Sequence, residues 1–148
     1  MAMTEKRNSN KPMRLAGKGG KEHRKYQSLI KEHFANLGKI ALVEAYINGK
    51  NIDVFVQDIE TKKSIAVEIQ LNKNPKLAFE NIKKDFKAGC DEILLIFKKL
   101  ADLKTVKKSV FKEIGKEKIK RIQFRLIDDF TSDFIPKGYK NSTYKKPE

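Results

Sequence analysis

Three polar residues interrupt segments that are otherwise apolar. Asp53 stands within Ile52-Asp53-Val54-Phe55-Val56, and Glu68 and Gln70 stand within Ile65-Ala66-Val67-Glu68-Ile69-Gln70. Burying a carboxylate in such a segment is costly unless something pairs with it, and two carboxylates close together repel. A divalent cation resolves both problems. Alternate residues of a strand share a face, so Glu68 and Gln70 point the same way, and pairing of the two segments brings Asp53 to them. Two carboxylate oxygens and an amide oxygen form a hard donor set suited to Mg2+ or Mn2+, with the main-chain carbonyl of Ile69 as a further ligand. The competing account is the polar face of a half-solvated sheet.

Other chemistry-bearing residues have simpler readings. Glu44 alternates with Leu42 and Tyr46 and reads as an exposed edge glutamate. His33, beside Phe34, has no Cys or second His at ligand spacing and reads as a boundary residue. Cys90 follows Gly89 just before an apolar run and reads as a packed thiol. Gly17-Lys18-Gly19-Gly20 has the composition of a phosphate loop, but no strand precedes it and the G-x-x-x-x-G-K spacing is absent. Glu22 and His23 fall in the first turn of a helix, where an acid is favoured by the dipole.

The elements that must position these residues are legible from periodicity. Tyr26, Leu29, Ile30, Phe34 and Leu37 recur at helical spacing ahead of Gly38, which predicts a helix over 21–37. Ile40 to Ile47 and Ile52 to Gln57 are β-branched and aromatic runs separated by Asn48-Gly49-Lys50-Asn51, a hairpin signal. A polar turn leads to a third strand, Ser64 to Leu71. Asn74-Pro75 then opens a helix over 76–88, Ile93 to Phe97 is a strand buried on both faces, Leu100 to Ile114 is a helix closed by Gly115, and Ile119 to Ile127 is a fifth strand. The order α-β-β-β-α-β-α-β predicts a three-layer α/β fold, a mixed central sheet flanked by helices.

At 148 residues the chain fits one domain, and 39% hydrophobic with 35% charged residues allows a core under a Lys-rich surface. No apolar run approaches the roughly 20 residues a membrane span needs, and one cysteine excludes an internal disulfide, so a cytoplasmic protein is expected. The net charge of +14 is uneven: residues 1–25 carry eight basic and two acidic groups, and 137–148 carry four and one. Basic ends on a basic body suit a polyanion, most often nucleic acid. We read 1–20 as a flexible basic arm, 21–128 as the α/β domain and 129–148 as a basic extension, loop or a short extra element.

An Asp on the second strand of a hairpin, a turn, then an apolar strand with Glu-x-Lys is the signature of the PD-(D/E)xK nuclease superfamily, which includes restriction endonucleases and Holliday-junction resolvases. This sequence resembles it, with Asp53, fourteen intervening residues, and Glu68-Ile69-Gln70. It is similar in particular to nuclease-like domains with EHR on the first helix and then DV, AVEI and NIxKxLxAG, matched by Glu22-His23-Arg24, Asp53-Val54, Ala66-Val67-Glu68-Ile69 and Asn81-Ile82-Lys83-Lys84 with Ala88-Gly89. The resemblance implies a restriction-endonuclease-like fold and a metal-dependent endonuclease acting on DNA. It implies Asp53, Glu68 and Ile69 as metal ligands, Gln70 orienting the attacking water, Glu22 as an accessory carboxylate, and Lys84 compensating for the family's lysine, which is Gln70 here. His23, Arg24, Lys25, Asn81 and Lys84 would then contact nucleic acid, and a homodimer would let two sites cut both strands. The absence of that lysine also fits a catalytically inactive nuclease-fold protein that binds DNA as an accessory factor.

Overall fold

The computed structural model describes residues 20–131. The basic arm and nearly all of the basic extension lie outside the described residues. The elements run α1 (Lys21–Asn36), β1 (Ile40–Ile47), β2 (Lys50–Gln57), β3 (Ser64–Gln70), α2 (Pro75–Lys87), β4 (Glu92–Phe97), α3 (Leu100–Glu113), α4 (Lys116–Ile119), β5 (Ile122–Leu126) and α5 (Asp128–Thr131). No helix among the described residues is long and apolar enough to cross a membrane.

The turn between β1 and β2 is tighter than the sequence suggested. Asn48 and Gly49 both take positive φ, 50° and 78°, the two-residue geometry whose twist matches that of the flanking strands. Lys50 and Asn51 therefore join β2, paired with Ile47 and Tyr46. Asn48 Nδ2 also donates to the carbonyl of Ala88 at 2.6 Å, which ties the hairpin to the end of α2. Gly38 and Gly89 supply the left-handed turns expected after α1 and α2, at φ 84° and 96°.

The five strands lie in sequence order, β1-β2-β3-β4-β5. β1, β2 and β3 are antiparallel neighbours, whereas β3-β4 and β4-β5 are parallel and need helical crossovers. Both crossovers step in the same direction across the sheet, so right-handed connection places α2 and α3 on one face. Ala78 and Ile82 of α2 and Leu103, Val106 and Val110 of α3 pack there on Phe55, Ala66, Ile93, Leu95 and Phe97. The opposite face packs Ile30 and Phe34 of α1 and Phe130 of α5 on Val54, Val56, Val67, Ile69, Leu94 and Ile96. This is the expected mixed sheet flanked by helices, in three layers.

Two boundaries differ from expectation. The fifth strand begins at Ile122, because Lys116–Ile119 forms a helical turn and Ile119 leans on the α2–α3 core instead of entering the sheet. Gly115, read as the residue that closes α3, has φ −66° and begins that turn. At the other end, Phe130 is buried and His33 packs edge-on against both Phe34 and Phe130, at 5.0 and 4.9 Å between ring centres. The packed unit therefore continues past residue 128.

Candidate functional site

The pairing of β2 with β3 ends at Val54–Val67, one residue short of Asp53 and Glu68. Beyond that pair the strands part, and the two carboxylates stand at the fork. Antiparallel pairing thus brings them together as expected. β2 also turns over at this point. Ile52 packs in the α2–α3 core and Val54 in the α1 core, although alternate residues of a regular strand share a face. β1 does the same around Glu44: Val43 leans on one core, Ala45 belongs to the other, and Glu44 between them has φ 53°. The ladder correspondingly runs from Val43–Val54 to Ala45–Ile52. This local distortion leaves Asp53 free of the regular alternation, and its Oδ2 accepts from the amide of Ile69 at 2.8 Å across the fork.

α1 meets this fork with a polar end. Its buried residues are His23, Gln27, Ile30 and Phe34, so the apolar stripe read from the sequence is continued toward the N-terminus by two polar side chains. His23 Nε2 lies 3.2 Å from Asp53 Oδ2, while its Nδ1 is buried and has no hydrogen-bond partner. Gln27 Nε2 donates both to the carbonyl of Asp53 and to Glu44 Oε2, at 3.1 and 2.7 Å. Glu44 is solvent-exposed, as the sequence suggested, yet it is turned inward at the hairpin edge. Ligand atoms of His23, Glu44 and Asp53 all lie within 4.8 Å of one another. The solvated first turn therefore describes Glu22 but not His23.

A cleft of about 620 Å³ opens above the fork, lined by Glu22, His23, Asp53, Glu68, Ile69, Gln70 and Asn81 among others. Seven of the residues singled out from sequence thus share one cavity. Glu22 is at the rim, where its Oε2 accepts from Lys98 Nζ at 2.6 Å and from the Tyr26 hydroxyl at 3.1 Å. Lys98 and then Tyr26 hold the Glu22 carboxyl below its ordinary range. It faces the opening rather than the sheet. Ile69 lines the wall and gives its amide to Asp53.

Glu68 and Gln70 are the deepest polar groups of the cleft, 2% and 3% exposed. Burial pushes the Glu68 carboxyl well above its ordinary range, and the charge of Asp53 and the proximity of Asp85 push it further. Lys84 opposes this only in part, with Nζ 3.2 Å from Glu68 Oε2 and 3.8 Å from Asp85 Oδ1. Glu68 Oε2, Gln70 Oε1 and both carboxylate oxygens of Asp85 are buried without a hydrogen-bond partner. Such groups are expensive in a folded protein; of them Glu68 and Gln70 line the cleft, and their oxygens, with those of Asp53, are hard donors of the kind a divalent cation takes.

Lys84 is not part of the cleft wall. It approaches Glu68 from α2, donates to the carbonyl of Asn51 and balances the carboxylate from behind. Arg24 and Lys25 are exposed on α1 and do not line the cleft either. Sequence reasoning passed over Asp85, Gln27 and Lys98. Asp85 was signalled by its spacing from Ala78 and Ile82, which puts an acid on the buried face of α2. Lys98 follows directly on β4, whose last residue pairs with Gln70, so a parallel neighbour delivers it to the same end of the sheet. Gln27 carried no such signal. Cys90 is buried, and burial pushes its thiol up to about 11, which suits packing and not nucleophilic chemistry. No family model, curated protein or solved structure matches this chain.

Proposed function

We propose that the protein is a metal-dependent endonuclease that hydrolyses DNA phosphodiester bonds in the cytoplasm. The observation that carries this reading is the pair of buried carboxylates, Asp53 and Glu68, at the β2–β3 fork, facing a cleft with the partnerless Gln70 Oε1. Asp53 and Glu68 would hold Mg2+ or Mn2+, with the Ile69 carbonyl as a further donor. Such an ion supplies Lewis-acid polarisation of the scissile phosphate and lowers the pKa of bound water.

The remaining roles belong to the chain's own groups. Gln70 orients the attacking water through its amide oxygen but brings no positive charge to the transition state. His23 and the Ile69 amide hold the Asp53 carboxylate in one orientation. Lys84 limits the repulsion between Glu68 and its acidic neighbours, a positioning role. Glu22 is the accessory carboxylate at the rim. Its partner Lys98, together with Asn81, would meet phosphate oxygens.

A second reading is a nuclease-fold DNA-binding accessory protein without cleavage. It is favoured by Gln70 at the lysine position and by Lys84 standing behind Glu68 instead of in the cleft. The deciding experiment presents supercoiled, linear, single-stranded and four-way-junction DNA with Mg2+ or Mn2+ to wild type, Asp53→Ala and Glu68→Ala. Metal-dependent cleavage lost in both variants, with unchanged far-UV circular dichroism, is the expected result. Absence of cleavage on every substrate, with equal DNA binding by all three proteins, refutes the nuclease reading and leaves the accessory one.

A further inference from the structure

Between the basic ends, positive charge is concentrated in one segment that starts at the cleft rim and leads away from it. Residues 98–125 hold eleven Lys and Arg against Asp102, Glu113 and Glu117, a net +8 of the total +14. In α3 the residues Leu103, Val106 and Val110 are buried, and the opposite face exposes Lys104, Lys107, Lys108 and Lys112. Lys104, Lys108 and Lys112 stand four apart, so they form one row along the helix, where like charges repel. None of these four lysines has a carboxylate partner among the described residues. Lys107 is instead held over the rings of Phe111 and Phe124, at 5.6 and 5.9 Å, and Phe111 itself is 52% exposed. α4 and the residues just after it carry exposed Lys116, Lys118 and Arg121.

We propose that this α3–α4 face is a second DNA-binding surface, which takes the phosphate backbone of duplex DNA lying outside the cleft. An uncompensated lysine row costs the free protein repulsion that a polyanion relieves, and release of the DNA's counterions adds to the gain. The α3 row offers ammonium groups without the amide or guanidinium forks that read base edges, so contacts along it would be sequence-independent. Its location suits a continuous duplex. α3 starts just after Lys98 at the cleft rim and runs about 20 Å from there, at about 1.5 Å per residue. The inference shares with the proposed function only the choice of DNA as partner. It requires no cleavage.

The test is fluorescence anisotropy of the full chain with a labelled duplex in EDTA, titrated across KCl concentrations. The triple variant Lys104→Ala/Lys108→Ala/Lys112→Ala is compared with a control triple of equal charge loss, Lys31→Ala/Lys62→Ala/Lys63→Ala. The α3 triple should bind at least about tenfold more weakly, and its log Kd against log[KCl] slope should fall by about 2 to 3, close to 0.9 per lost phosphate contact. The control triple should stay within about threefold of wild type. Equal losses in the two triples would reduce the effect to net charge and overturn the proposal. So would an unchanged α3 triple, a wild type that does not bind duplex, or an α3 triple that loses only binding to phosphatidylserine vesicles. A protein that cuts nothing but shows the α3-specific loss keeps this surface and loses the nuclease reading.

Discussion

Asp85→Asn should stabilise the protein at pH 8 and leave it unchanged near pH 4. Asp85 is fully buried on α2, and burial pushes its carboxyl up from 3.8 to about 6 even though the neighbouring Glu68 carboxyl and the Lys84 charge pull the other way. Because the folded value lies above the unfolded one, the sign is that of a carboxylate the fold disfavours. Below pH 3.8 the group is protonated in both states and costs nothing. Between 3.8 and about 6 the unfolded chain releases the proton and the folded chain keeps it, so stability falls as pH rises, and above about 6 the full penalty persists. Two pH units at about 1.4 kcal/mol each give a penalty of about 3 kcal/mol, which for a unit of this size is on the order of 10 °C in Tm. Glu68, raised by burial and by Asp53, adds to the same trend. Asp58 acts oppositely but at lower pH: backbone bonding from Thr61 and the Lys39 pair hold it at about 2, so its contribution is lost only as pH falls below 3.8.

The assay is urea denaturation of wild type and Asp85→Asn from pH 4 to 8. Wild type should lose stability through the pH 4 to 6 window, and the variant should lack the Asp85 share of that decline. Adding Mg2+ should raise the wild-type Tm more at pH 8 than at pH 5, since a cation competes with protons for the same carboxylates. A wild type that gains stability steadily from pH 4.5 to 7, or superimposable curves for the two proteins, would refute the assignment of Asp85 and Glu68 as buried, uncompensated acids.

Lys84→Ala should cost about 1 to 3 kcal/mol at pH 8, because it strips the nearest cation from a buried carboxylate, and the loss should shrink at pH 4.5, where Glu68 is protonated. Chemical denaturation at the two pH values reads it, and equal losses at both would exclude the ion pair as the cause. Glu44 holds φ 53°, where a side chain is strained. Glu44→Gly should therefore be about 1 kcal/mol more stable than Glu44→Ala, both having lost the bonds to Gln27 and Asn51, and a reversed order in thermal unfolding would contradict the left-handed turn in β1.

Local sequence determined the elements. A period of 3.6 in α1, α2 and α3, short β-branched runs in the strands, the Asn48-Gly49 turn and the glycines after α1 and α2 are effects of backbone sterics and near-neighbour side chains. They act before the chain has a tertiary structure, so they can be read without one. The same reading isolated Asp53, Glu68 and Gln70, since a polar group inside an apolar strand is visible as a break in pattern. The start of the fifth strand, expected at Ile119, falls at Ile122: both residues are apolar, and only packing decides that the first belongs to a helical turn.

Tertiary structure decided what those polar residues touch. The end of β2–β3 pairing at Val54–Val67, the turning over of β1 and β2 at Glu44 and Asp53, and the arrival of His23 and Gln27 on the buried face of α1 depend on contacts between distant elements. Lys98 reaches Glu22 across seventy-six positions only because β4 lies parallel to β3. Lys84, expected in the cleft, stands behind Glu68, where its ammonium meets Glu68 and the carbonyl of Asn51, both from distant elements, as well as its neighbour Asp85. Desolvation, the largest influence on Glu68 and Asp85, is a property of the assembled layers and has no local counterpart in the sequence.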